Sequence, residues 1–243
     1  MHKNIFYLLS CLIFLSGCAG IPIRTNPQHE NYFSITKTIA LMPIEVEANK
    51  ITAGGVPERM DEWEEQIRSL LKQAIKKKIE IFPNINLKVL EKSDLNTNFK
   101  EFLDEENGLY RAVAQSIISH TYVPGSIFPH KLNNFDYTLG SEINYINEFV
   151  ETDSLLFVGG ERTFWTGGRI FLATWGYLLG AVTGVYAVPQ SVPDWLAISL
   201  VDTKTGNIIW FKFIGQPNTQ IGDLRKSEVV EQTVGLLFRD FVK

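Results

Sequence analysis

The order of apolar and polar positions switches between the period of a strand and the period of a helix along most of the chain. Residues 36–46 (TKTIALMPIEV) are apolar and β-branched, the signature of a buried first strand. A loop from Asn49 ends in Gly54-Gly55, and Pro57 then opens a helix. Glu58, Asp61 and Glu62 fall in its first turn and Lys76-Lys77-Lys78 in its last, as the helix dipole favours. Met60, Trp63, Ile67, Leu70, Leu71, Ala74 and Ile75 recur along it at helical spacing. Pro83 ends it, and residues 85–90 (INLKVL) alternate as a second strand. Residues 94–106 are polar, a loop with a short helix. Residues 108–122 carry a second helical pattern that Pro124-Gly125 breaks. Residues 126–137 read as irregular, and residues 139–150 as a third helical stretch with Ile143, Ile146, Phe149 and Val150 on one side.

Residues 154–162 (SLLFVGGER) are a strand whose Gly159-Gly160 marks a bulge or a close approach of backbone. Residues 195–202 (WLAISLVD) and 208–214 (IIWFKFI) flank the turn Thr203-Lys204-Thr205-Gly206-Asn207, a hairpin. Residues 223–242 close the chain as a helix, with Val229, Val230, Thr233, Val234, Leu237, Phe238 and Phe241 on its apolar face. The order β-α-β-α-α-β, an insertion, β-β, α implies an α/β architecture, an α+β sandwich in which helices cover a mixed sheet.

The insertion breaks the pattern. Between Arg169 and Asp194 lie 24 residues without a charge, and residues 170–188 (IFLATWGYLLGAVTGVYAV) are nearly all apolar. Gly176, Gly180 and Gly184 fall four apart, so a helix would carry them near one face, where they allow close backbone approach. Trp165, Trp175, Tyr177 and Tyr186 suit a membrane interface. Three readings stay open: a helix buried on its own domain, a contact with copies or partners, or insertion into a bilayer. The run is at the lower edge of spanning length.

The first residues have a different logic. Lys3, an apolar run from Ile5 to Leu15, and then Ser16-Gly17-Cys18 form a secretory signal with a short apolar core. Cys18 directly after Ser-Gly makes the segment resemble the bacterial lipoprotein signal. That resemblance implies that Cys18 is acylated and becomes the first residue of the mature chain; a thiolate is the nucleophile suited to accept the lipid. Ala19 in second place, rather than Asp, points to the outer membrane. The expected division is a signal at 1–17, a lipidated polar tether at 18–34 with Pro22 and Pro27, and a periplasmic domain at 35–243 with its apolar insertion at about 166–192.

Composition narrows the function. The chain is 45% hydrophobic and 21% charged, enough for a packed core. The net charge is −4, which gives no general electrostatic reason to bind nucleic acid. Cys11 leaves with the signal and Cys18 takes lipid, so the periplasmic body is expected to hold no disulfide and no cysteine metal site. His29, His120 and His130 lack a second ligand at metal spacing, and no GxSxG, HExxH, GxGxxG or GxxxxGK[ST] occurs. Ser126 and His130 lack an orienting carboxylate nearby in sequence. Asp153 and Asp202 read as cap or turn residues, Asp223 with Arg225 as a helix cap with a local ion pair, and Asp104-Glu105-Glu106 and Glu62-Trp63-Glu64-Glu65 as solvated faces. Trp210, Phe211 and Phe213 are expected to alternate between core and surface.

Three segments carry a family resemblance. Ala40-Leu41-Met42-Pro43-Ile44 resembles the first strand of periplasmic lipoproteins related to the curli-secretion channel and to the N-terminal domain of TolB. Residues 152–157 (TDSLLF) resemble a later strand of theirs, and residues 200–210 (LVDTKTGNIIW) resemble their hairpin. Residues 222–225 ahead of the last helix look like those of a group of uncharacterised proteobacterial lipoproteins. The resemblance implies a TolB N-terminal-domain-like fold and a role as a non-enzymatic assembly or interaction component of an envelope secretion or export complex. A monomeric regulator or adaptor of peptidoglycan synthesis is the alternative. It brings no catalytic residues and no cofactor. The implied partners are the membrane, through lipid on Cys18, and envelope proteins or a ring of identical subunits. The residues singled out for an interface or membrane contact are Gly176, Gly180 and Gly184.

Overall fold

The computed structural model describes residues 22–52, 54–94, 96–168, 170–171, 174–175, 183–184, 194–216 and 221–241. The strands are β1 (Ile23–Thr25), β2 (Thr38–Leu41), β3 (Glu45–Ile51), β4 (Pro57–Arg59), β5 (Asn86–Val89), β6 (Ser154–Trp165), β7 (Trp195–Asp202) and β8 (Ile208–Gly215). The helices are α1 (His29–Ile35), α2 (Asp61–Ile79), α3 (Thr97–Thr121), α4 (Pro129–Asn133) and α5 (Ser227–Leu237), with 3₁₀ turns at Lys92–Asp94 and Ser141–Glu148. One eight-stranded sheet runs β1-β8-β7-β6-β2-β5, with β3 on β6 and β4 on β3. β2, β3 and β5 are parallel to their neighbours in the β5-β2-β6-β3 region, whereas β7, β8, β1 and β4 pair antiparallel. This is the mixed sheet with flanking helices that the element order implies.

Strand periodicity explains why both faces are covered. Leu156 and Val158 of β6, with Leu196, Ile198 and Leu200 of β7, point to one core, packed with Ile67 and Leu71 of α2 and Val230 and Val234 of α5. Leu155 and Phe157, with Ala197 and Val201, point to the other, packed with Phe99, Leu103, Tyr110 and Ile117 of α3. Both faces are therefore apolar, and the central strands read as continuous apolar runs. Trp210, Phe211 and Phe213 do not alternate between core and surface: all three are buried, Trp210 in the first core and the two Phe in the second. A register shift at Leu200/Val201 leaves Ile209 extra, so Ile209 and Trp210 share one side.

Residues 36–46 are not one strand. β2 stops at Leu41, Pro43 cannot donate to the ladder, and β3 begins at Glu45. Both halves pair with β6, Leu41 opposite Leu156 and Glu45 opposite Gly159. Pro57 opens the short strand β4; α2 starts at Asp61. The loop and helix expected over 94–122 are one helix, α3. Asn96 caps it by accepting a hydrogen bond from the Phe99 N–H at 2.9 Å. A Cβ on Gly108 would meet nothing within 4 Å, so this glycine faces outward. Its cost of ~1 kcal/mol is offset by the packed face opposite. Residues 129–133 form α4, and residues 141–148 are 3₁₀ rather than α.

The segment expected as a tether is folded from Ile23. β1 adds to β8, and α1 buries His29 and Tyr32. α5 is shorter than expected because residues 224–226 form a turn and Asp223 bonds Arg225; Phe238 and Phe241 stay buried beyond its end.

Candidate functional site

Two regions stand out, one polar and one apolar. The polar one follows from the break at Pro43. β2 and β5 end there side by side while β3 takes the place beside β6, leaving a notch at the carboxyl ends of parallel strands, where open α/β sheets form ligand crevices. On the α2 side it is a hollow of about 340 Å³ lined by Pro43, Glu65, Arg68, Lys72 and Glu91 among others. On the α3 side it is a hollow of about 160 Å³ that includes Asp104, Asn107, Arg111, Gly159 and Trp195. Lys92 stands between them, 2.8 Å from Glu45 and 2.8 Å from Asp104. Burial opposes its charge, but these two bonds outweigh that and leave the amine raised above its ordinary value.

Other charges in the notch are also paired. Arg111 lies 2.6 Å from Glu47 and holds that carboxyl below its usual range. Lys72 bonds Glu91 at 2.8 Å. Glu161 is pushed up by burial and then by Glu47. The Asn107 side-chain nitrogen is buried and has no partner among the described residues. The Tyr110 hydroxyl and Ser199 Oγ lie 2.9 Å apart. Gly159-Gly160 is a close approach, with no bulge in the register. A Cβ on Gly160 would sit 2.5 Å from the Trp195 carbonyl, and one on Gly159 would sit 3.4 Å from the Tyr110 ring. The notch can therefore exchange hydrogen bonds with a polar partner, at the expense of ion pairs already made. Sequence reading missed it: its residues come from segments far apart in the chain, and only the fold brings them together.

The apolar region is the far end of β6 and the start of the insertion. Trp165, Ile170, Phe171 and Trp175 are exposed. Phe171 and Trp175 meet edge to face with centroids 6.0 Å apart. The base of the insertion is fastened. Arg162, 3% exposed, contacts Asp194 and donates to the carbonyls of Ile221 (3.1 Å) and Gly222 (2.9 Å). Burial pushes the Arg162 guanidinium down and the Asp194 carboxyl up, and their contact opposes both shifts. Arg225, bonded to Asp223 at 2.9 Å, lies over the Trp63 and Phe164 rings at 4.3 Å each.

Cys18, Gly176 and Gly180 lie outside the described residues. Gly184 is exposed with φ of 75°, a left-handed conformation in which an α-helix does not continue, so the helical row does not run through it. Among the described residues no helix is long and apolar enough to cross a membrane, and no cluster of His, Cys, Asp or Glu could hold a metal ion. Ser126 and His130 are both exposed, with no bond between them among the described residues. His120 instead faces the Tyr137 hydroxyl at 3.1 Å. Asp153 and Asp202 serve the backbone: Asp153 accepts from the N–H groups of Lys37 and Thr38, and Asp202 from those of Lys204 and Thr205. The acidic runs are not uniformly solvated. Glu64 is buried, accepts from the Ala48 N–H and pairs with Arg59 at 2.8 Å, and Glu106 is buried too.

No family model and no curated protein matches the chain, so the resemblance to curli-channel and TolB-like lipoproteins rests on its short segments alone. Among solved structures, the crystal structure of lipoprotein GNA1162 from Neisseria meningitidis matches with a TM-score of 0.32. It is 12% identical, over 84% of this chain and 99% of that one.

Proposed function

We propose that this chain is a lipid-anchored protein of the bacterial envelope, held at the periplasmic face of the outer membrane through Cys18. In this reading it acts as a non-enzymatic assembly or interaction component of a secretion or export complex. One observation carries the reading. Cys18 follows Leu15-Ser16-Gly17 at the end of a short apolar signal, five residues before Ile23, where the first described strand begins. The cysteine thus stands where a modified residue can hold the domain at a membrane without disturbing its core. Two features support interaction as the role: the notch, whose charges pair with each other around a polar hollow, and the exposed aromatic end of β6. Gly176, Gly180 and Gly184 remain the proposed contact residues of the insertion.

The test is the mass of the acylated protein extracted from membranes in mild detergent. A defined complex larger than one chain, from copies or a partner, is the expected result. A monodisperse single chain at every concentration contradicts the assembly role and leaves a tethered regulator or adaptor.

A further inference from the structure

The far end of β6 exposes a contiguous apolar set. Trp165 is 39% exposed, Ile170 53%, Phe171 60% and Trp175 49%. Val56, 65% exposed, adjoins them: it sits in the β3–β4 turn, where Ile51 pairs with both Trp165 and Pro57. Single exposed apolar residues are ordinary, whereas several aromatics gathered at one end mark a contact surface. Within residues 162–193 the charges are Arg162, which contacts Asp194, and Arg169; beside the patch Lys50, level with Phe164, pairs with Glu58 at 3.5 Å.

β1 fixes where the anchor joins relative to this surface. Ile23 pairs with Lys212 antiparallel, so the chain before Ile23 leads toward the end of the sheet where Gly215 pairs with Trp195 and Trp195 with Glu161. Through Lys212 and Ile198, Ile23 is level with Val158, and Trp165 lies seven residues, or about 23 Å, beyond that level. Cys18 precedes Ile23 by five residues, so covalent geometry keeps it within about 17 Å of Ile23. A lipid on Cys18 would hold the domain near the bilayer, and the chain before Ile23 leads in the direction of the sheet end that carries the exposed aromatics.

Resting on the lipid-anchored reading, we propose that Trp165, Ile170, Phe171 and Trp175, with Val56, seat in the headgroup region of the leaflet that holds the Cys18 acyl chains, giving the domain a second membrane contact and a fixed orientation. Tryptophan with apolar neighbours is the composition that settles at such an interface. The apolar composition of the set makes the contact hydrophobic, independent of anionic lipid and of salt.

With Cys18 acylated, an introduced cysteine is the sole free thiol of the mature chain. Full-length acylated Phe171→Cys and Ile35→Cys are labelled with an environment-sensitive dye and reconstituted in zwitterionic vesicles carrying brominated lipid. Ile35 is the control: 69% exposed and equally apolar, but near the start of β2 and β6, at the opposite end of the sheet. The expected result is a blue shift and several-fold quenching at position 171, little of either at position 35, and no change in high salt. Trp175→Cys is a second probe, expected to behave as position 171 does. A blue shift at 171 without quenching, which means protein covers the surface, overturns the proposal. So does a water-like probe at 171 and 175 on membrane-bound protein, or equal quenching at 171 and 35. Protein absent from the membrane fraction overturns the anchored reading itself, and this proposal with it.

Discussion

The two ends of the β6–β7 pair are built in opposite ways. Where β6 begins and β7 ends, short polar side chains knot the backbone. Asp153 accepts from Lys37 N–H at 2.8 Å and Thr38 N–H at 2.9 Å. The Tyr32 hydroxyl donates to the Asp153 carbonyl at 3.0 Å, Thr203 reaches the carbonyls of Thr152 and Asp153, and Asp202 holds the hairpin turn. Where β6 ends and β7 begins, the strands run out into exposed aromatics above Arg162, which contacts Asp194 and donates to the carbonyls of Ile221 and Gly222. Backbone groups at a strand end need partners from somewhere. One end finds them in its own side chains and is finished as a folding unit. The other leaves apolar side chains exposed among the described residues. Substitutions at the first end should therefore act on stability, and substitutions at the second on contact.

Gly206→Ala should have the largest effect. Its φ of 71° is left-handed, and an added Cβ would lie 2.0 Å from the Gly140 carbonyl oxygen. Left-handed strain and overpacking together cost about 3 kcal/mol, read by urea unfolding. Asp153→Ala should cost about 2–3 kcal/mol, since two hydrogen bonds to a charged acceptor disappear together. Tyr32→Phe should cost about 1 kcal/mol, the worth of one hydroxyl's bonds. None of the three should alter membrane partition of the protein that folds.

Glu106→Gln should have the opposite sign. Burial, then Glu105 and Glu142, pushes the Glu106 carboxyl up, and one of its oxygens has no partner among the described residues. A carboxyl raised on folding favours the folded state while protonated, and that advantage is lost as pH rises from the ordinary carboxylate value through the folded one. The substitution should therefore stabilise at neutral pH and do little in acid, a difference that paired unfolding curves would reveal. The smallest change in stability, within about 0.5 kcal/mol, belongs to Trp165→Ser with Phe171→Ser at the open end. That pair should instead weaken the grip on the membrane, measured by release of the acylated protein from vesicles.

Much of the architecture was legible because local signals agreed with the fold. Acid-first, base-last charge and helical spacing located α2, and the turn at residues 203–207 between two apolar runs located the β7–β8 hairpin. Asp202 was readable as a turn residue because it accepts from the backbone of its own turn, whereas Asp153 accepts from Lys37 and Thr38, 116 and 115 residues earlier, at the start of β2. What was not legible depends on distant partners. The short β1 has little strand signal and exists because β8 offers an edge. α3 passes through Gly108 because Phe99, Leu103, Tyr110 and Ile117 are held by the sheet. The notch draws on β3, α2, the turn at Lys92, α3, β6 and the start of β7, and no spacing rule joins Glu45 to Lys92 and Asp104. The apolar insertion was visible as composition, but that its described start lies at the sheet end toward which the chain before Ile23 leads follows only from the β1 register.

The most direct test of the account is the intact mass of the protein taken from cell membranes. A chain that begins at Cys18 and carries diacylglyceryl and acyl groups there, lost together with membrane association in Cys18→Ala, is the predicted result. An unmodified Cys18, or a chain that keeps the residues before it, would contradict the account at its root.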